Sequence, residues 1–481
     1  MSQKYLISID GGTQSTKVLI FDVQGNIAGE GRQVLRPMQS PYAGACEHPD
    51  DDLWDSLIVA SHAALNEFDG DPGDIVGVGL CTIRSCRCFL REDGSLSVPV
   101  ISWMDPRSHG PYYFPTGDTR YATTTTGYMT HKMTGEFKDT VANCATWQWP
   151  ADIATWDWSE NEELMKMFHL TRDQLLELKK PGEILGYVTK EASAATGIPE
   201  GIPVVATAND KAVEALGAGL MQGNAGLVSL GTYSATMVKG PDWAENPVNY
   251  YTNYGCVPGQ YLFESGGLQR GMWLISWFRD LFGRGLVEEA AVRGIAPETV
   301  LEEEACDVPA GSEGLLTIPE WLVASHIPEK FRKGAMVGFD VRHGRGHMYR
   351  SIMEGMTLTL YNYFDSMCKE LNIAPDHLIV SGGGAKSDLF VQIIADVFGL
   401  PVELNAVKDA AGVGAAICTA VAAGIYPDFD VASKAMVHIQ RTVMPNAENH
   451  AAYARINKEV YKDMQKDIDP IMEKAYPLFN K

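Results

Sequence analysis

The chain of 481 residues lacks an excess of basic side chains, a paired-cysteine motif and a long apolar run. Lysine and arginine total 39 against 61 aspartates and glutamates, which gives a formal net charge of −22. Because nucleic acids and anionic membranes are bound by basic faces, this balance argues against both as partners. It still allows a phosphorylated ligand held by backbone N–H groups and a metal ion.

The nine cysteines are odd in number and contain no C-x-x-C pair. Such scattered thiols are typical of a reducing compartment rather than of a disulfide framework or a zinc module. The N-terminal segment has no basic stretch followed by an apolar one, so we expect no signal peptide. The longest weakly polar run, residues 410–426, is shorter than a membrane span and predicts a closely packed buried helix. We therefore expect a cytoplasmic protein.

Several familiar motifs of other enzymes are also absent. The chain has no G-x-x-x-x-G-K-[ST] sequence, no protein-kinase H-R-D or D-F-G set, and no G-x-S-x-G elbow. The G-x-G-x-x-G fingerprint of a dinucleotide fold is missing as well, which argues against a dehydrogenase.

Strand-like and helix-like patterns alternate along the chain, which favours an α/β architecture. The loop-like sequence LMQGNAG at residues 220–226 predicts a boundary that divides the chain into residues 1–222 and 223–481. The predicted strands cover residues 5–9, 17–21, 27–33, 75–82, 96–103, 202–207, 226–230 and 377–380. The predicted helices cover residues 54–68, 159–170, 171–180, 212–219, 268–282, 347–371 and 388–398, and a terminal amphipathic helix reaches about residue 470.

Two predicted hairpins carry similar glycine-bearing tips, one in each half of the chain. Glycine lets the backbone approach a phosphate chain closely, and Thr and Ser add hydroxyl donors. The repeat favours a duplication in which two hairpins bind one nucleotide from opposite sides of a cleft. The candidate phosphate-binding residues are Gly11, Gly12, Thr13, Gln14, Ser15 and Lys17 in the first hairpin, and Gly231 and Thr232 in the second. Asp10, at the end of the first strand, could orient water on Mg²⁺.

Three further groups of residues follow predicted strands. The turn SGGGAKSD at residues 381–388 joins a strand to a helix, which suits an anion or a nucleotide. Asp210 follows a buried strand, where α/β sites place catalytic groups, although a helix N-cap is an equally good interpretation. The third group offers side chains that hydrogen-bond hydroxyls or stack on a sugar, and it contains Arg84, Ser85, Trp103, Asp105 and Arg107.

These motifs, in this order and over nearly the whole chain, resemble those of the FGGY family of carbohydrate kinases. The resemblance implies two actin-like (ribonuclease H-like) ATPase domains with ATP and the acceptor in the cleft between them. It also implies that Asp210 is the general base for a primary hydroxyl, and that Asp10, with Asp210, is the candidate site for Mg²⁺. Implied phosphate contacts are Gly12, Thr13, Gly231 and Thr232, and implied adenosine contacts are Gly383, Gly384, Ala385 and Ser387.

The expected acceptor is a small-molecule sugar or polyol. Its implied contacts are Arg84, Ser85, Trp103, Asp105, Arg107, Asn209 and Lys211. These side chains offer donors, acceptors and an apolar wall for a chain of hydroxyls, and none of them demands a ring. We expect a small ketose, above all a pentulose, phosphorylated at its terminal hydroxyl. A linear polyol and a non-kinase ATP-binding sensor of the same fold are the alternatives.

The chain departs from family patterns in three places. Ile83-Arg84-Ser85 stands where xylulokinases typically show Met-His-Gly and glycerol kinases Arg-Glu, so neither substrate is well supported. Ala208-Asn209 precedes the aspartate in place of the usual Gly-x-His. The stretch between Arg107 and Thr134 is shorter than usual, which predicts a reduced outer wall at the sugar site. The sequence does not specify the oligomeric state, for which a homodimer is the general expectation.

Overall fold

The computed structural model describes residues 3–244, 246–323 and 329–479. Two mixed β-sheets, one from each half of the chain, carry helices on their faces. Among the helices of these residues, none combines the length and the apolar character needed to cross a membrane.

The first half of the chain forms a six-stranded sheet in the order β11-β12-β4-β1-β2-β3. The strands of this half are β1 (Tyr5–Gly11), β2 (Ser15–Asp22), β3 (Ile27–Val34), β4 (Ile75–Thr82), β5 (Cys88–Leu90), β6 (Tyr121–Thr123), β7 (Lys138–Thr140), β8 (Ala151–Asp152), β9 (Asp157–Trp158), β10 (Glu177–Lys179), β11 (Ile184–Tyr187) and β12 (Pro203–Asn209). Those outside the large sheet form two-stranded sheets, β5 with β6, β7 with β10 and β8 with β9. The helices are α1 (Asp52–Glu67), α2 (Thr125–Thr134), α3 (Glu162–Met167), α4 (Lys190–Thr196) and α5 (Asp210–Ala218).

The second half forms a seven-stranded sheet in the order β15-β16-β14-β13-β19-β20-β21. The strands of this half are β13 (Ala225–Leu230), β14 (Ser234–Gly240), β15 (Tyr250–Tyr254), β16 (Tyr261–Ser265), β17 (Leu316–Ile318), β18 (Ala335–Val337), β19 (His377–Gly382), β20 (Val402–Asn405) and β21 (Ile439–Val443). Of these, β17 and β18 pair with each other in a separate two-stranded sheet. The helices are α6 (Gly271–Leu281), α7 (Gly283–Arg293), α8 (Pro297–Cys306), α9 (Arg345–Leu371), α10 (Asp388–Phe398), α11 (Ala410–Ala422), α12 (Phe429–Met436), α13 (Ala447–Ile456) and α14 (Lys462–Phe479).

The two sheets share one plan, which supports the predicted duplication. In the first, β1 pairs antiparallel with β2 and parallel with β4, and β12 continues the parallel part. In the second, β13 pairs antiparallel with β14 and parallel with β19, and β20 continues the parallel part. Each last parallel strand is followed by a buried helix, α5 after β12 and α11 after β20. The two hairpin tips therefore occupy equivalent positions in the two sheets.

Helices α5 and α11 cross each other between the two halves, and small residues permit the close approach. A Cβ atom added to Gly414 of α11 would lie 2.1 Å from the carbonyl oxygen of Val213 in α5. One added to Gly79 in β4 would lie 2.4 Å from the carbonyl oxygen of Ala415, so α11 packs on the first sheet although it belongs to the second half of the chain. The halves thus share one hydrophobic core. The boundary at residue 222 stays a prediction.

Most predicted elements are confirmed, and three are corrected. Residues 96–103 form isolated bridges at Leu96 and Ile101 instead of a strand, because Pro99 between them has no N–H to donate. Residues 171–180 form one turn of 3₁₀-helix and then β10, which pairs with β7, instead of a helix. The terminal helical segment passes through Pro470 and continues to Phe479.

Candidate active site

Asp10 lies at the end of β1, opposite Lys17 of β2. Its Oδ1 atom is buried and has no hydrogen-bond partner among the described residues. Burial, and then the charge of Asp409, raises the pKa of Asp10 to about 7, although Lys17 acts in the opposite direction. A buried carboxylate oxygen without a partner is a position that a cation or its bound water would satisfy.

The protein side chains around Asp10 would supply only some of the ligands that a metal ion needs. No group of three or more His, Cys, Asp or Glu side chains arranged to hold a metal occurs in the described part of the chain. A Mg²⁺ ion held here would take one ligand or bound water from Asp10 and its other ligands from water and phosphates.

Lys17 forms an ion pair with Asp409, from the other half of the chain, at 2.5 Å. Asp409 also caps α11, because its Oδ1 accepts a hydrogen bond from the Gly412 amide at 3.0 Å. Burial disfavours the charged form of Lys17, but Asp409 outweighs it and raises the pKa of the lysine. A charged ammonium group is therefore held beside Asp10.

Asp210 is the first residue of α5, and Asn209 is the helix cap. The Asn209 Oδ1 atom accepts a hydrogen bond from the Ala212 amide at 3.1 Å, and its Nδ2 donates to the carbonyl oxygen of Ala142 at 3.0 Å. The capping role considered for Asp210 is therefore wrong, although its Oδ1 atom still accepts a hydrogen bond from the Lys211 amide at 3.0 Å. Burial raises the pKa of Asp210, whereas Arg84 and Lys211 act against that rise.

Lys211 belongs to a polar network that joins α5 to the second sheet. Its Nζ atom donates to Glu214 at 2.9 Å and to Ser229 Oγ at 2.7 Å. Ser381, in the candidate adenosine turn, also donates to Glu214. The lysine is largely buried, and both of its hydrogen bonds are made within the protein. This network holds the first turns of α5 against β13 and, through Glu214 and Ser381, against β19.

Arg84 follows β4 and makes a two-pronged ion pair with Glu264 of β16. The guanidinium Nη1 and Nη2 atoms donate to the two carboxylate oxygens at 2.6 and 2.8 Å. The Glu264 side chain is 2% exposed and that of Arg84 is 21% exposed, so this pair joins the two halves inside the cleft. Ser85, the next residue, has a left-handed backbone with φ of 66°.

Trp103 approaches the first hairpin tip, whereas Asp105 and Arg107 bind each other. The Trp103 indole Nε1 donates to Thr13 Oγ1 at 3.2 Å. Asp105 is buried and accepts from the Cys46 amide at 2.6 Å and from Arg107, which also donates to Glu47 at 2.7 Å. The Asp105 and Arg107 pair thus fixes the loop that carries Trp103.

The two hairpin tips differ in their surroundings. In the first, the Gly12 amide donates to the Ser15 carbonyl oxygen at 3.1 Å and closes the turn, Gln14 anchors β3 through its carbonyl oxygen, and the Ser15 hydroxyl accepts from Arg32 at 3.0 Å. In the second, the carbonyl oxygens of Gly231 and Thr232 accept from the first amides of α6 at 2.9 and 2.7 Å.

The turn after β19 lies directly against the end of β13. Gly382 has φ of 86°, and a Cβ atom there would lie 2.4 Å from the carbonyl oxygen of Leu230, so glycine is required. The 3₁₀ turn Gly383–Lys386 follows, and Ser387 caps α10 with a bond of 3.1 Å from the Phe390 amide. This turn lines a cavity together with residues from β20 and the start of α11; its lining includes Ser381, Ala385, Asp388, Asn405, Lys408 and Ala410.

Three acidic residues of this site were missed by sequence reasoning. Asp409 precedes α11 as Asp210 opens α5, so the duplication itself could have indicated it. Glu214 lies one helical turn after Asp210, on the same face of α5. Glu264 belongs to a central strand with no motif around it, and only the three-dimensional structure brings it to Arg84.

Comparison with known proteins defines the class to which this fold and site belong. Solved kinase structures superimpose over nearly the whole chain. Xylulose kinase from Rhodospirillum rubrum gives a TM-score of 0.82 at 23% identity, and the match covers 98% of this chain and 100% of that one. Gluconate kinase from Lactobacillus acidophilus gives a TM-score of 0.84 at 19% identity, with the same coverage. At these identities the likeness concerns the fold, a two-domain actin-like ATPase fold.

The sequence then identifies the family within that class. Residues 5–112 and 118–217 match the N-terminal domain of the FGGY family of carbohydrate kinases, and residues 226–423 match its C-terminal domain. The chain belongs to the FGGY family and is a carbohydrate kinase. It is 44% identical over 480 residues to the uncharacterized sugar kinase YgcE of Escherichia coli (strain K12), covering 100% of this chain and 97% of that protein. Autoinducer-2 kinase of the same strain is 27% identical over 509 residues, covering 94% and 92%.

Proposed function

We propose that this kinase transfers the γ-phosphoryl group of ATP to a primary hydroxyl of a small ketose, above all a pentulose. The observation that carries the proposal is Asp210, a half-buried carboxylate at the N-terminus of α5 that does not serve as the helix cap and has Arg84 beside it. A linear polyol is the second acceptor class, because the same donors and acceptors suit an open chain of hydroxyls.

Asp210 would act as the general base. The acceptor oxygen attacks the γ-phosphorus, its proton passes to Asp210, and the bond from the γ-phosphorus to the β,γ-bridging oxygen breaks to release ADP. A raised pKa suits a base that must take a proton at the moment of attack and give it up afterwards. Catalysis otherwise depends on positioning and on neutralising the phosphate charge.

The phosphate groups would lie between the two hairpin tips. Gly11, Gly12, Thr13 and Gln14 line the first, and Gly231 and Thr232 the second. Lys17 supplies a cation that Asp409 already orients. Asp10, with Asp210 nearby, would hold Mg²⁺ through its bound water, and the ion would neutralise charge on the phosphates.

The adenosine would occupy the cavity beside the turn after β19. Gly383, Gly384, Ala385 and Ser387 belong to that turn, and Ser381 connects it to α5 through Glu214. On the other side of the cleft, Arg84, Ser85 and Trp103 would face the acceptor. Asp105 and Arg107 would support Trp103, and Asn209 and Lys211 would position Asp210.

The test is release of ADP with Mg²⁺ over a panel of acceptors. The panel contains xylulose, ribulose, glycerol, erythritol, gluconate, a pyranose aldose and autoinducer-2, so that it includes acceptors named for relatives. We expect the highest kcat/KM with a pentulose. A preferred pyranose aldose would contradict the acceptor assignment, and ATP hydrolysis without any preferred acceptor would favour the sensor alternative. We further propose a cytoplasmic homodimer, which fractionation and light scattering would test.

A further inference from the structure

The acceptor side of the cleft contains one carboxylate to which no motif gives a role. Glu264 lies on β16, is almost fully buried, and binds both terminal nitrogens of Arg84. Its Oε2 atom also accepts a long hydrogen bond of 3.5 Å from Asn253. Arg84 therefore enters the acceptor site as half of a neutral pair and not as a free cation.

The charges around this pair are predominantly negative. The side chain of Asp210 acts on Arg84 from the N-terminus of α5. Lys211, the neighbouring cation, is already bound to Glu214. A carboxylate group placed beside Arg84 would therefore meet the negative charges of Glu264 and Asp210, and the two cations nearby, Arg84 and Lys211, are already paired. An uncharged hydroxyl could bind the N–H donors of Arg84 that Glu264 leaves unused, and it carries no charge to be repelled.

An aromatic pair also joins the two halves of the chain. Tyr251 of β15 faces Trp147 of the first half, with ring centroids 6.2 Å apart. Burial, and then the charge of Glu264, raises the pKa of Tyr251, which indicates that this ring lies on the same side of the cleft as the ion pair. Tyr251 and Glu264 are cross-strand neighbours on β15 and β16, so they lie on the same face of the second sheet.

We propose that Glu264 is the residue that makes the acceptor site selective for uncharged polyhydroxy compounds over the corresponding carboxylic acids. It acts by neutralising Arg84, so that the negative charge of Asp210 is not offset by that guanidinium group. The inference rests on the proposed function, because it concerns the acceptor of the same phosphoryl transfer, and it concerns the charge of the acceptor rather than its identity.

The experiment compares matched pairs in which a terminal CH₂OH group is replaced by a carboxylate: glycerol and glycerate, xylitol and xylonate, sorbitol and gluconate. The wild-type enzyme should prefer the neutral member of each pair that is turned over, by at least about tenfold in kcat/KM. A wild-type preference for the acids would overturn the inference and leave the kinase assignment intact. Absence of turnover with every acceptor, the pentuloses included, would overturn the proposed function, and calorimetric binding of the same pairs would then decide the inference.

The variant Glu264→Gln keeps the size of the side chain and removes its charge. It should lower the neutral-to-acid ratio by about tenfold or more, because Arg84 becomes an unpaired cation. The control is Glu298→Gln, which breaks an ion pair of 2.7 Å with Arg279 outside the cleft and should leave the ratio unchanged. An unchanged ratio in folded Glu264→Gln would contradict the inference; if that variant does not fold, Glu264→Asp retains the charge and should retain the wild-type preference.

Discussion

Individual acidic residues determine the chemistry of this cleft, and their surroundings differ. Asp10 and Asp210 are half-buried, and desolvation raises their pKa values, whereas the pKa of Glu214 is lowered because Lys211, Ser381 and Ser229 stabilise its charge. Carboxylates with raised pKa values near a phosphate site are candidates for proton transfer and for cation binding. Glu214 is instead a structural anion.

Asp210→Asn should abolish proton acceptance while it keeps the shape of the side chain. We expect kcat to fall by about 10²–10⁴-fold, the usual contribution of a general base. Affinity for ATP, measured by calorimetry, should change little. Asp365→Asn, which removes a carboxylate from a surface pair with Lys369 at 2.6 Å, serves as the control and should retain wild-type kcat. Turnover of Asp210→Asn within a few-fold of wild type would refute the assignment.

The pKa of Asp10, raised from 3.8 to about 7, predicts how stability depends on pH. Between these two values the folded protein binds more protons than the unfolded chain, so stability should fall as pH rises through this window. The asparagine in Asp10→Asn cannot titrate. The melting temperature of this variant should therefore rise relative to that of wild type as the pH is raised from 5 to 8, by on the order of a few degrees. Differential scanning calorimetry without ligand measures this. A constant difference over that range would show that Asp10 is ionised throughout.

At the scale of elements, the crossing of α5 and α11 explains how two acidic residues from different halves reach one site. Asp210 opens α5 and Asp409 caps α11, and the charges of both carboxylates act on Asp10. The helices contact each other where Val213 and Gly217 of α5 meet Gly414 of α11. Small residues along AAGVGAA permit that approach. The sequence predicted the buried helix from its composition, but the partner of a small-residue face is a property of the whole fold.

Gly414→Ala tests the crossing. Its added Cβ would lie 2.1 Å from the Val213 carbonyl oxygen, so the helices must separate, at a cost of about 1–3 kcal/mol in the free energy of unfolding. Gly285→Ala in α7 is the control, since a Cβ there meets nothing within 4 Å and the change should be neutral or stabilising by up to about 1 kcal/mol. Urea unfolding followed by circular dichroism measures both, and equal stabilities would argue against tight packing at Gly414.

The elements that local patterns specify were predictable, and the contacts between halves were not. The hairpin β1–β2, β4 and α10 follow from alternation, helical spacing and glycine turns, and they match closely. Residues 96–103 have an apolar alternation but pair only at isolated bridges, because Pro99 interrupts the ladder. Ion pairs such as Lys17 with Asp409 and Arg84 with Glu264 join residues 392 and 180 positions apart, which no local pattern encodes.

At the scale of the whole molecule, two halves of one plan pack together through α5 and α11, and charged pairs cross between them. Both pairs, Lys17 with Asp409 and Arg84 with Glu264, lie where phosphate and acceptor are expected to bind. Ligands would thus contact groups from both halves at once. Two-domain enzymes with this arrangement commonly close around their ligands.

Small-angle scattering should therefore detect closure. A chain of this length has an expected radius of gyration of about 23 Å, and we expect a decrease on the order of 1 Å when acceptor and a non-hydrolysable ATP analogue bind together. Either ligand alone should give a smaller change, because each contacts only part of the cleft. Asp409→Asn, which frees Lys17 from its partner in the other half, should increase the radius of the ligand-free protein and leave the doubly liganded radius close to wild type, since phosphates replace the lost partner. An unchanged radius in wild type with both ligands would mean that the cleft is already closed before binding.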